Sequence, residues 1–378
     1  MSLYWPDHPD KIDLTGPRLH AFIVGVGDYP HLVAGTPNAF NTNFGLQQLT
    51  TTVLTAKRIA RWLATEYHNP DVPLGSIELF LSPAQQVDRP DGTKAPIEEA
   101  TMANIGAAFR KRWLQERCLP QPGGITCFYF AGHGLSAGGA HYLLPSDFAD
   151  PAANKWDRCI DFSKSRTGMG HVNATQLFFV DACRETPIDL LTQANPPTGV
   201  RLADDATMFD HPASEATYYA AADGRLAYGP DDDVTYFATA VIDALEGAAA
   251  LKKQGKLAVD TFQLGTAIGQ IVASLASSLT KPLTCNPQPS GKPAVIHLPK
   301  AAHARTSIVC VTAQANQESA IRLTRGHDVI ESKAGSDRPW HGRVAPGDWD
   351  LEVTFTNLPQ YKGVESVNAP VHEVEVPV

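Results

Sequence analysis

No stretch of this chain approaches the roughly 18 consecutive apolar residues that a membrane-spanning helix needs. None of the six cysteines forms a C-x-x-C pair, which fits reduced thiols better than a disulfide framework. There is no His-Glu-x-x-His, and the histidines do not cluster with the cysteines, which argues against a zinc enzyme. Excess basic charge is also missing: the net charge of −9 argues against nucleic acid as the main partner. The opening Met1-Ser2-Leu3-Tyr4-Trp5-Pro6-Asp7 lacks the basic and apolar regions of a signal peptide, so a cytoplasmic location is expected. Gly25-Val26-Gly27 is followed by neither Lys-Ser/Thr nor an immediate helix, so it is not read as a phosphate loop.

What is present is a chain of 378 residues, 43% hydrophobic, enough for a sizeable core in one large domain with an appendage, or in two domains. The stretch Gln176-Leu177-Phe178-Phe179-Val180-Asp181-Ala182-Cys183-Arg184-Glu185 is short, apolar and rich in Phe and Val, which reads as a strand buried on both faces. It ends in a cysteine flanked by charge, at the strand end where open α/β sheets bind ligands. A second such strand, Thr126–Ala131, ends in Gly132-His133-Gly134, 50 residues before the cysteine. Further strands are expected at His20–Gly27, Ile77–Leu81 and Thr217–Ala222, with Ala294–Leu298 closing the sheet. Apolar spacing of three and four predicts a helix from Leu46 to Leu63, and others follow over Ile97–Arg117, Tyr236–Leu251 and Asp260–Leu279. His141 competes with His133 as a catalytic base; His133 is preferred because it stands at a strand end between glycines.

Tyr-Phe-Ala-Gly-His-Gly followed by Phe-Val-Asp-Ala-Cys-Arg resembles the His/Cys dyad of caspase and metacaspase peptidases, at the separation known for caspases. The resemblance spans residues 18–299 and implies a caspase-like α/β sandwich, with a mostly parallel central sheet flanked by helices. It further implies a cysteine endopeptidase with Cys183 as nucleophile, His133 as base, and the N–H groups of Gly134 and Cys183 as the oxyanion hole. Two positions depart from caspases: Arg184 is followed by Glu185 rather than Gly, and Asp181 replaces Gln, as it does in metacaspases. A catalytically idle scaffold of the same fold is the alternative reading, although such scaffolds usually lack a dyad member. A different acyl-transfer enzyme is the third.

Asp181 and Cys183 lie two apart, on one strand face, so Asp181 is expected to line the pocket for the residue before the scissile bond. A carboxylate there attracts Arg or Lys and repels Asp. Its other reading is a backbone cap or a partner for Arg184. The resemblance places Thr55 where metacaspases carry a second pocket acid, so either the pocket is less acidic or Asp223 or Asp28 supplies that charge, and Arg versus Lys stays open. No cofactor is expected, though Asp231-Asp232-Asp233 is a candidate for calcium, which some metacaspases require. Arg201, in the irregular segment Arg184–Ala216, is a candidate self-cleavage site. Composition shifts after Pro299, dividing the chain into a peptidase domain, 1–299, and a small β-sandwich, 300–378. Protein substrates are the expected partners, with the sandwich a place for an activating or docking protein.

Overall fold

The computed structural model describes residues 2–35, 45–172, 174–186, 198–203, 214–225, 227, 229–230, 232–253, 255–279, 282–310, 319–333, 340–355 and 359–376. Two compact units are present: Met1–Thr239 with Leu283–Ile296, and Ala240–Pro282 with His297–Val378.

The first unit is built on one sheet. Its strands are β1 (Leu3–Trp5), β2 (Leu19–Val26), β3 (Leu74–Ser82), β4 (Gly124–Ala131), β5 (Ala174–Asp181), β6 (Ser214–Tyr219) and β7 (Asn286–Gly291). Their order across the sheet is β1-β3-β2-β4-β5-β6-β7, and Glu98–Glu99 adds a short strand beside β3. The five central strands are parallel, and β1 and β7 flank them antiparallel. Strands covered on both faces read as apolar runs rather than alternations, and β2 is buried at every position.

Alternate residues serve different neighbours. Phe22, Val24, Phe128, Phe130, Phe178 and Val180 join one aromatic-rich core with Phe109 and Trp113, which follow α2 (Met102–Ala107), and with Phe162 of α3 (Phe162–Gly168). The opposite face meets α1 (Thr52–Thr65). That helix crosses β2 so closely that a Cβ on Gly25 would lie 2.5 Å from Ala56 Cβ and 2.9 Å from the Thr52 carbonyl oxygen.

Three differences from the sequence expectation have local causes. The first helix starts at Thr52 rather than near Leu46. Leu49 N–H bonds the Gly27 carbonyl at 2.9 Å, and the Gln48 side chain clasps the backbone of Tyr29 and Val33, which holds the preceding turn extended. The second helix starts at Met102, capped by Thr101, whose hydroxyl accepts from Asn104 N–H. The strand that closes the sheet is β7, not Ala294–Leu298; Val295–His297 is a strand outside this sheet. Pro287 and Pro289 argue against a central strand but are tolerated on an antiparallel edge, where unpaired N–H groups are not needed.

The second unit contains α4, here Thr261–Leu279, and two sheets after residue 303. One is ordered Trp340–Val344, Ala304–Cys310, Val371–Val376; the other is ordered Asp328–Lys333, Ser319–Arg325, Gly347–Phe355, Tyr361–Val367. Both feed one core, including Ile308, Val374, Leu323, Trp349 and Leu351. Asp243, only 2% exposed, receives Arg305 Nη1 at 2.9 Å and Arg343 Nε at 2.6 Å, with His303 at 3.6 Å. Burial alone would raise this carboxyl, but the nearby His303 and the bonded Arg343 and Arg305 outweigh it and bring it to about 2. A carboxylate held below its unfolded value stabilises the fold above about pH 4 and loses that contribution as pH falls toward 2. Asp243→Asn should therefore flatten the stability profile between these limits and cost on the order of 2 kcal/mol at pH 6. Urea unfolding at a series of pH values checks this, and an unchanged acid slope would refute it.

Candidate active site

β4 and β5 pair residue for residue, from Gly124↔Ala174 to Ala131↔Asp181, without a slip. Being parallel, they leave the sheet at the same rim. Gly132 N–H continues the pairing to the Asp181 carbonyl at 3.2 Å. His133 and Cys183 each stand two residues beyond the last paired position, on strands about 4.8 Å apart. The sheet thus delivers an imidazole and a thiol to neighbouring places.

His133 is 8% exposed and packs against the Tyr29 ring, centroids 4.9 Å apart. Its backbone N–H donates to the Tyr29 hydroxyl at 2.8 Å, which in turn donates to the Leu144 carbonyl at 3.1 Å. Nε2 lies 2.6 Å from the Gln47 carbonyl oxygen. A carbonyl only accepts, so Nε2 carries the proton and Nδ1 of the neutral ring keeps its lone pair. Burial depresses this imidazole to about 4, against the pull of the Gln47 bond, so at neutral pH it is uncharged and able to accept a proton.

Cys183 is half-buried, and the Ala227 N–H donates to its Sγ at 3.3 Å. Burial raises the thiol above its ordinary value; the Ala227 bond opposes this, and Glu185 and Asp181 add to it. Burial raises the Tyr29 phenol above its ordinary value, and its bond from the His133 N–H opposes this.

His141 sits elsewhere in the arrangement. Its Nε2 donates to the Cys183 carbonyl at 3.0 Å, and its buried Nδ1 has no hydrogen-bond partner among the described residues. Gly134 packs into the same place: a Cβ there would fall 2.6 Å from the Cys183 carbonyl oxygen and 2.8 Å from His141 Nε2. Only a hydrogen fits.

Asp181 is 3% exposed. Its Oδ2 accepts from the Tyr129 hydroxyl at 2.9 Å and from the Thr235 hydroxyl, while Oδ1 is buried without a partner among the described residues. Burial lifts this carboxyl to about 6, and the two hydroxyl bonds pull the other way. Asp181 does not pair with Arg184, whose Nη2 instead meets Asp223 at 3.4 Å while its Cζ lies 4.3 Å above the Tyr219 ring. Asp223 is thereby engaged, also accepting from the Ser136 hydroxyl at 3.2 Å. Thr55 is fully buried and accepts the N–H at 3.0 Å from Thr235, whose hydroxyl bonds Asp181. Asp28 is half-buried, with its backbone bonded to Ser82.

Arg201 lies in a segment seated on the core. Val200 bonds Cys159 and Asp161 through its backbone, Arg110 Nη2 donates to the Arg201 carbonyl at 2.7 Å, and Leu202 is buried. Cutting after Arg201 would require this segment to leave its seat. Asp231 lies outside the described residues, and Asp232 and Asp233 are exposed. No group of three potential metal ligands converges among the described residues. No helix among them is long and apolar enough to cross a membrane.

Tyr29, the Gln47 carbonyl, Tyr129 and Thr235 are the contributors that sequence reasoning misses. A backbone carbonyl leaves no residue-type signal, and the two hydroxyls reach Asp181 from distant segments.

A family model described as the caspase domain matches residues 18–289. An uncharacterized protein of Sinorhizobium fredii is 31% identical over 216 residues, 55% of this chain and 60% of that protein, so the chain spans less than two thirds of this relative's length. Among solved structures, caspase-1 from Spodoptera frugiperda aligns with 74% of this chain and 91% of its own, at 12% identity and a TM-score of 0.42. A protein from Geobacter sulfurreducens aligns with 74% and 95%, at 14% identity and a TM-score of 0.41.

Burial favours the uncharged form of both groups, an imidazole at His133 and a thiol at Cys183. Alkylation of Cys183 by iodoacetamide should therefore climb about tenfold per pH unit from pH 6 to 8, following the thiolate fraction. A plateau between pH 5 and 7 would show an ion pair instead.

Proposed function

This chain belongs to the caspase-domain family of cysteine peptidases, and from that premise we propose that it is a cysteine endopeptidase cutting proteins after lysine or arginine, with Cys183 and His133 as its dyad. The observation that carries the dyad is the Gln47 carbonyl on His133 Nε2, which leaves Nδ1 as the proton acceptor. In this reading Cys183 Sγ attacks the carbonyl carbon of the scissile bond while its proton passes to His133 Nδ1. The oxyanion is received by the N–H groups of Gly134 and Cys183. His133 then gives its proton to the leaving amine as the C–N bond breaks, producing a thioester. Water, losing a proton to His133, attacks the thioester; the C–S bond breaks, the thiolate regains that proton from His133, and the acid product leaves, ionising to solvent.

Asp181 supports the preference for a basic side chain. A buried carboxylate oxygen without a partner is costly, and a cation entering beside it removes that cost and favours the ionised form. His141, bonded to the Cys183 carbonyl, supports the nucleophile's backbone in this reading and is not its base. No cofactor enters these steps. A reducing cytoplasm suits the free thiol, and the C-terminal sheets are the proposed place for an activating or docking protein.

Reporter peptides test the assignment. Cys183→Ala and His133→Ala should each abolish cleavage with the fold intact by circular dichroism. Loss of activity in His141→Ala but not in His133→Ala would overturn the choice of base. Asp181→Ala should lower cleavage after Lys and Arg by roughly a hundredfold, since losing one partner of a desolvated charge pair costs on the order of 2–5 kcal/mol. Cys183 should remain alkylatable in that variant. Efficient cleavage of an Asp-ending reporter, with none after Lys or Arg, would sink the specificity.

A further inference from the structure

We propose that the hydroxyls of Tyr129 and Thr235 make the Asp181 pocket selective for lysine over arginine; this rests on the reading of Asp181 as acceptor of a basic side chain. The argument is one of lone pairs. A carboxylate offers about four acceptor sites, two per oxygen, and a guanidinium fork is bound best when each oxygen supplies one. Here Oδ2 already receives two protons, one from Tyr129 and one from Thr235.

Neither donor is free to turn away. Burial and the nearby Asp181 carboxylate raise the Tyr129 phenol far above its ordinary value, so it keeps its proton, which the bond to Oδ2 engages. The Thr235 oxygen accepts the Ala238 N–H at 3.1 Å, at the start of the helix Tyr236–Asp243, and its own N–H is bonded to Thr55 Oγ1. Its hydroxyl proton therefore points to Asp181. What remains open is Oδ1, buried and unpartnered among the described residues.

A single oxygen with two open sites suits an ammonium better than a guanidinium. Lysine brings three N–H donors: two fit Oδ1, and one is left for a hydroxyl oxygen such as that of Tyr129. Arginine brings five, cannot straddle the carboxylate, and would bury at least three without this acceptor. The usual advantage of arginine in desolvated sites comes from its fork, and the fork has no second oxygen here.

The test is calorimetry on the full chain carrying Cys183→Ala, with two peptides identical except for Lys or Arg before the scissile bond. The lysine peptide should bind at least about tenfold tighter. Adding Tyr129→Phe releases one site on Oδ2, so the ratio should move toward arginine by about tenfold. Thr235→Val, which removes the other donor, gives the same shift and serves if Tyr129→Phe fails to fold. Equal or tighter binding of the arginine peptide, or a ratio unmoved in the folded variants, overturns the proposal while leaving basic specificity standing. Binding of neither peptide overturns the underlying reading as well.

Discussion

The slip-free pairing of Gly124–Ala131 with Ala174–Asp181 is the constraint on which the rest depends. Side chains alternate along a strand, so a shift of one residue would send Phe178 and Val180 out of the aromatic core and bring Asp181 into it. The apolar cost of that exchange fixes the register. Once it is fixed, two residues far apart in sequence are carried the same distance beyond the same rim. The placement of His133 and Cys183 is thus decided by core packing, before either side chain begins.

The rim itself is governed by polar accounting at low solvent access. Two buried imidazoles lie there, both depressed to about 4 by desolvation, and each donates through Nε2 to a backbone carbonyl. They differ in what those carbonyls belong to. His133 leans on Gln47, outside the strand that leads to Cys183, while His141 leans on Cys183 itself. The same residue type, burial and ring nitrogen thus yield one base in the proposed chemistry and one prop.

The five parallel strands were legible because burial on both faces leaves uninterrupted apolar runs, and the two motif ends marked His133 and Cys183. Asp181 was legible as a same-face neighbour of the cysteine, but its bonds to Tyr129 and Thr235 were not, since hydroxyl pairing across distant segments follows no spacing. Leu46 and Leu49 carried helical periodicity yet stayed outside the helix, because backbone and Gln48 bonds near Gly27 and Tyr29 competed successfully. The edge strand Asn286–Gly291 was hidden by its prolines, which local propensity penalises and an antiparallel edge accepts.

The hydrogen bond from Ala227 to the thiol belongs to the main chain. Every amino acid except proline brings the same N–H, so exchanges of the side chain at position 227 leave the sulfur's donor in place. The immediate electrostatic setting of the Cys183 sulfur is in this respect insulated from mutational drift. Chains that share this backbone course would share it too, with no common residue at the position to reveal the kinship.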